Sequence, residues 1–150
     1  MNNNIFAFDL GTTTGWAVRS DDVIQFGSNN FSPKRGEGCG IRFLRFRQWL
    51  NRLLETNTKP DVILYEVVMA HKGADAAHIY GGFQAILTEC CELNSIPYQG
   101  IPVGTIKKRF TGKGNANKEA MIAEAKQRGF DVKDDNAADA VAILLCGMID

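Results

Sequence analysis

Three carboxylates stand where apolar runs begin or end. Ile5-Phe6-Ala7-Phe8 leads directly into Asp9, and Val62-Ile63-Leu64-Tyr65 leads directly into Glu66. Asp139 lies within Asp135-Asn136-Ala137-Ala138-Asp139-Ala140, at the opening of an apolar helix. A carboxylate in an apolar run is costly to bury unless it is paired or holds a cation. Three such acids, far apart in sequence, become affordable if the fold brings them to one cation site. Acids grouped around two metal ions are the chemistry of phosphodiester hydrolysis.

The 150 residues are expected to form one domain spanning 1–150, with 45% hydrophobic and 23% charged residues. The formal net charge is zero, so the whole chain carries no nucleic-acid signal. The basic residues are nonetheless concentrated. Lys34, Arg35, Arg42, Arg45, Arg47 and Arg52 face only Glu37 within 34–52, and Lys107, Lys108, Arg109, Lys113 and Lys118 share 107–118 with no acid. These segments predict a divided phosphate-binding surface. Cys39, Cys90, Cys91 and Cys146 form no metal-ligand spacing and are expected to be reduced thiols. No basic region precedes the first apolar run, and no apolar stretch reaches the roughly 20 residues of a membrane span. A cytoplasmic, intracellular protein without membrane contact is the expectation.

Residues 4–9 predict a buried strand, followed by a tight turn at Gly11-Thr12-Thr13-Thr14-Gly15 whose glycines admit a phosphate. Trp16–Val18 and Val23–Phe26 predict two short strands, which would complete an antiparallel meander. Residues 28–40 read as a loop. A helix over 41–55 carries an apolar stripe of Ile41, Leu44, Trp49, Leu50, Leu53 and Leu54. A second buried strand covers 61–66. A helix over 75–93 starts at Asp75 as a possible N-cap and contains Gly81-Gly82, whose helix-weakening cost implies close approach of another backbone. Ile96-Pro97-Tyr98 reads as a short strand. Helices follow over 117–128, capped by Asn117 and stopped by Gly129, and over 136–148. Asp135 is either the N-cap of that last helix or a member of the acid group.

Taken together, Asp9-Leu10-Gly11 with Gly15, Glu66-Val67-Val68-Met69-Ala70, Ala74-Asp75, Lys107, Gly112-Lys113-Gly114-Asn115-Ala116-Asn117-Lys118 and Ala137-Ala138-Asp139-Ala140 resemble the RuvC-type Holliday junction resolvases of the RNase H-like superfamily. The resemblance covers nearly the whole chain. It implies an α/β, RNase H-like mixed five-stranded sheet, an antiparallel meander followed by parallel strands, with helices on both faces.

The resemblance also implies the site. Asp9, Glu66 and Asp139 match three of the family's four metal-binding acids. Asn136 stands at the fourth position, where the family has Asp or His. Its carbonyl can ligate a hard cation but brings no charge, and Asp135 beside it is the alternative. Two Mg²⁺ ions, replaceable by Mn²⁺, are the implied cofactors. Lys118 would neutralise charge on the reacting phosphate. Lys107, Lys108, Arg109, Lys113, Lys118, Lys72, Met69, Arg42 and Arg45 are the implied DNA contacts. Met69 falls where the family carries an aromatic that stacks on junction bases, and methionine stacks less well. The implied assembly is a homodimer on branched, four-way DNA, joined through the helix holding Gly81 and Gly82. The altered stacking position and the 28–40 loop point to a phage or mobile-element variant.

Three rivals remain. Asp9-Leu10-Gly11-Thr12-Thr13-Thr14-Gly15 is similar to the phosphate turn of the actin and sugar-kinase superfamily, though those proteins need two large lobes. RNase H-like nucleases of ribosomal RNA maturation share an early acid and a late Asp. A non-catalytic branched-DNA binder is compatible with Asn136.

Overall fold

The computed structural model describes residues 3–149. Strand β1 (Ile5–Asp9) is central. It pairs antiparallel with β2 (Thr13–Ser20), which pairs antiparallel with β3 (Val23–Asn30). On its other side β1 pairs parallel with β4 (Val62–Val67), and β4 pairs parallel with β5 (Tyr98–Pro102). The sheet order is β3-β2-β1-β4-β5, and the fold is the RNase H-like α/β arrangement expected.

Among the described residues, five helices cover the sheet: α1 (Ile41–Thr56), α2 (Ala74–Leu93), α3 (Val103–Thr111), α4 (Lys118–Gln127) and α5 (Asp135–Ile149). Strand alternation divides the core. Phe6, Phe8, Val18, Ile63 and Tyr65 pack with Phe46, Leu50, Phe83 and Leu87 of α1 and α2. Ile5, Ala7, Ala17 and Leu64 pack on the other face with Ile106, Phe110, Met121, Ala125 and the buried run of α5. The same alternation puts Asp9 in phase with Ile5 and Ala7, and Glu66 in phase with Leu64. Both acids therefore stand on the α5 side.

Several boundaries differ from expectation. Thr13, Thr14 and Gly15 belong to β2 rather than to a turn, with Thr14 Oγ1 donating to the Gly11 carbonyl at 2.7 Å. β3 runs on through Ser28, Asn29 and Asn30, four residues past the expected end, because every one of its positions pairs with β2. β5 lies after Ile96-Pro97, over Tyr98–Pro102. α3 was not evident, since Pro102 and Gly104 bracket its start. In α1 the buried residues are Phe46 and Leu50, while Leu44 is 49% exposed. Asp75 is in the first turn of α2 but does not cap it; the N-cap is Gly73.

Asn117 does cap α4, its Oδ1 accepting from Ala120 N at 2.9 Å. Gly129, at φ +94°, follows that helix as expected. The cap of α5 is Asp134, whose Oδ1 accepts from Ala137 N at 2.8 Å while Oδ2 accepts from Ser28 Oγ at 2.6 Å. Asp135 is thus released from the capping role and belongs to the first helical turn. Cys90, Cys91 and Cys146 are buried free thiols and Cys39 is an exposed one. Among the described residues, no helix is long and apolar enough to cross a membrane.

Candidate active site

The acids gather at the carboxyl ends of the adjacent parallel strands β1 and β4, the edge where open α/β sheets bind their ligands. Phe8 pairs with Tyr65, and Asp9 and Glu66 are the next residues on their strands. A hydrogen bond links the Asp9 and Glu66 carboxyls. α5 crosses the same sheet face with its N-terminus over β1 and β2 and adds Asp139 and, one turn earlier, Asp135. What lets it come so close is Gly15, paired with Asp9 in the β1–β2 ladder. A Cβ on Gly15 would lie 1.9 Å from the carbonyl oxygen of Asn136. Gly15 therefore serves helix packing, correcting the expectation that it opens the backbone to a phosphate.

Burial and mutual repulsion disturb these carboxyls. Burial, then the charges of Glu66 and Asp139, holds Asp9 well above the usual carboxylate range. Burial raises Glu66 too, opposed by the bond to Asp9 and by Lys107. Asp139 is pushed up to about 7 by burial and by Glu66 and Asp135, against the pull of Lys107 and Lys118. Lys118 Nζ also lies 3.8 Å from Asp135 Oδ2. Acids that share a proton and repel one another are a site short of positive charge. Among the described residues, no group of three or more acidic, histidine or cysteine side chains is already arranged to hold a metal ion. The donor set still fits a hard divalent cation, with carboxylate oxygens on three elements and, between Asp9 and Glu66, a shared proton that a cation would displace.

The structure thus brings together Asp9, Glu66, Asp139, Asp135, Lys107 and Lys118. Asn136 sits at the junction of α5 with β2, its backbone carbonyl against Gly15. The other basic candidates are dispersed. Lys108 is exposed on α3 and Lys113 in the loop before α4. Arg109 donates through Nη1 to Cys146 Sγ at 3.4 Å, about two turns along α5 from Asp139. Arg42 Nη1 donates to Thr12 Oγ1 at 2.8 Å, which holds α1 against the turn after Asp9. Arg45 forms a fork on Glu37, at 2.9 and 2.5 Å. Arg47 pairs with Glu89 at 2.9 Å. Two of the six basic residues of 34–52, Arg45 and Arg47, thus have acidic partners inside the chain. Met69 is 83% exposed, and Lys72 is exposed beside it on the loop after β4.

That loop also bounds a cleft of about 320 Å³, whose walls include Leu10, Thr12, Val68, His71, Ile79 and Tyr80. Tyr80 and Asp134 are the structurally prominent residues that sequence reasoning missed. Tyr80 was hidden in the apolar face of α2. Asp134 carried a legible signal, an acid three residues before an alanine at a helix start.

Sheet order, strand directions and the position of the acid group define an RNase H-like protein with a candidate cation site at the end of its central strands. The fold is similar to Thermus thermophilus RuvC in complex with a Holliday junction substrate, with a TM-score of 0.76, 18% identity, and coverage of 95% of this chain and 91% of that one. It is also similar to the yeast mitochondrial Holliday junction resolvase, at a TM-score of 0.66 and 15% identity, covering 96% and 77%. The crossover junction endodeoxyribonuclease RuvC of Wolbachia sp. subsp. Brugia malayi is 27% identical over 149 residues, covering 95% of this chain and 91% of the relative. That of Carboxydothermus hydrogenoformans is 30% identical over 105 residues, covering 68% and 66%. No protein-family model matches the chain. The chain belongs to the RuvC-type resolvase family.

Proposed function

We propose that this chain is a structure-selective endonuclease that nicks four-way DNA junctions with the help of divalent cations. The observation that carries the proposal is the gathering of Asp9, Glu66 and Asp139 from three elements into one group with raised carboxyl pKa values. Asp9, Glu66 and Asp139 would hold Mg²⁺, with Asp135 the fourth ligand rather than Asn136. Asp135 is close enough to act electrostatically on both Asp9 and Asp139. When bound, two ions supply an activated water and stabilise the leaving oxygen.

The chain's own residues do the rest. The α5 face of the sheet edge orients the scissile phosphate. Lys118 offsets negative charge accumulating on it. As the bond from water oxygen to phosphorus forms, the bond from phosphorus to the 3′-oxygen breaks and that oxygen takes up a proton. The products are a 3′-hydroxyl and a 5′-phosphate, which a ligase can rejoin. Lys107, Lys108 and Lys113 hold the DNA backbone around this edge, and Met69 and Lys72 meet DNA from the loop after β4. A second copy joined through α2 provides a second active site for the opposite strand. The names of the RuvC relatives and the junction-bound structural neighbour support this choice of substrate.

The test presents a synthetic four-way junction, the linear duplex of the same sequence and a structured RNA, each with Mg²⁺. Nicking confined to the junction is expected. Cleavage of the RNA alone would assign the site to an RNA-processing nuclease, and junction binding without nicking would make the chain a structural binder.

A further inference from the structure

We propose that Tyr80 is a positioning residue that fixes Glu66 within the acid group, so that α2 sets the geometry of the site on the opposite sheet face. This rests on the reading of Asp9, Glu66 and Asp139 as cation ligands. Glu66 is half-buried at a corner of the sheet, near the end of β4. The β1–β4 ladder ends at Phe8 and Tyr65, one residue short of it. On the other side β5 follows β4 only one residue further, to Val67 and Pro102. The chain then leaves the sheet, and residues 68–73 form neither strand nor helix. A carboxylate at such a corner is free to swing unless its backbone is held.

Tyr80 supplies that hold. Its hydroxyl donates to the Glu66 carbonyl at 2.5 Å, at the bend where the strand turns out of the sheet. The His71 ring packs on the Tyr80 ring with centroids 5.1 Å apart and ties down the far side of the loop. Tyr80 itself is 9% exposed on a twenty-residue helix pinned by Phe83 and Leu87.

The phenol acts through the backbone. Tyr80 belongs to the core on the α1–α2 face, whereas strand alternation directs the Glu66 side chain to the α5 face. It therefore touches no candidate ligand atom and takes no proton in the reaction. Hydrogen-bonding partners one step removed from a metal commonly change its affinity by about 10–100-fold.

Tyr80→Phe removes one oxygen and keeps the ring. Three quantities are measured on the full chain: amide hydrogen exchange, Mg²⁺ affinity by calorimetry, and affinity for a four-way junction in metal-free buffer. Exchange across 66–73 is expected to rise about tenfold, with β1 and α5 unchanged. The Mg²⁺ dissociation constant is expected to rise about tenfold, with junction affinity unaltered. Tyr98→Phe, which removes a phenol bonded to Glu92 on the far edge, is expected to match wild type in all three. A wild-type Mg²⁺ affinity in Tyr80→Phe overturns the proposal, whatever the exchange shows. Should wild type itself bind no Mg²⁺, the ligand assignment fails separately. The exchange comparison then decides alone, and an unchanged rate across 66–73 overturns the hold on Glu66.

Discussion

Gly15 and the carbonyl of Asn136 are in such close contact that a methyl group on Gly15 would lie 1.9 Å from the oxygen and 2.5 Å from the carbon. The contact seats α5 on β2 beside Asp9 and determines how near Asp139 and Asp135 come to the strand ends. Gly15→Ala must push the first turn of α5 outward. Overpacking of this kind costs about 1–3 kcal/mol, and displacement of a catalytic group by about 1 Å can cost on the order of 10²-fold in rate. The variant is expected to melt lower yet remain folded, and to lose nicking out of proportion to its stability. Wild-type nicking in a destabilised Gly15→Ala protein would uncouple α5 placement from catalysis.

Metal-free stability should fall as pH rises. Asp139 titrates near 7 in the fold, against an ordinary value of 3.8. Between those values the folded state keeps a proton that the unfolded chain has released, so stability present at low pH is lost on the way up to about 7. Asp9 and Glu66 are displaced in the same direction. Asp139→Asn removes one of the repelling charges. Its metal-free melting temperature at pH about 8 is expected to exceed that of wild type by about 5 °C, for a gain of about 2 kcal/mol. Added Mg²⁺ should raise the wild type more than the variant. A wild-type melting temperature flat from pH about 4 to 8 would contradict the electrostatics of the acid group.

The centre of the molecule was more legible in the sequence than its edges. β1, β4 and α5 are long apolar runs because they are buried, and their acids stand out against that background. β3 and β5 are edge strands, where Ser28, Asn29, Asn30, Gly100 and Pro102 are tolerated because only one side must pair. Their composition therefore resembles loop. The acids of the site could be picked out for the same reason, since charge in an apolar run is conspicuous. The placements of Tyr80 and Gly15 could not, because each acts through contacts that only the tertiary fold creates, whereas the cap that Asp134 gives Ala137 is local and was legible in the spacing.

Pairing inside the chain divides the basic residues into two kinds. Arg45 is neutralised by its fork on Glu37, which in turn holds that carboxyl below its usual range. Lys113 is exposed in the loop before α4, with no acidic partner in an ion pair among the described residues. Lys113→Ala is expected to reduce the salt slope of junction binding by about one unit, and Arg45→Ala to leave it nearly unchanged. Titration of junction affinity against salt measures both, and equal slopes for the two variants would erase the distinction.

The glycine pair of α2 separates into different roles. A Cβ on Gly82 would lie 2.5 Å from the Phe43 ring, so Gly82 serves packing of α2 on α1 within one chain. That corrects the expectation that both glycines admit a second protomer. Gly81 is exposed with open space before it. Gly81→Leu is the clean probe of the proposed dimer and is expected to sediment as a folded monomer. A dimer retained by Gly81→Leu would move the interface off this face of α2.

The central claim is that Asp9, Glu66 and Asp139 form the hydrolytic site of a junction resolvase. Its most direct measurement is nicking of a four-way junction in Mg²⁺ by wild type, Asp139→Asn and Glu66→Gln, with the nicked products then offered to a ligase. The account predicts paired, ligatable nicks from wild type, and from both variants tight junction binding without nicks. Comparable nicking by either variant would contradict it.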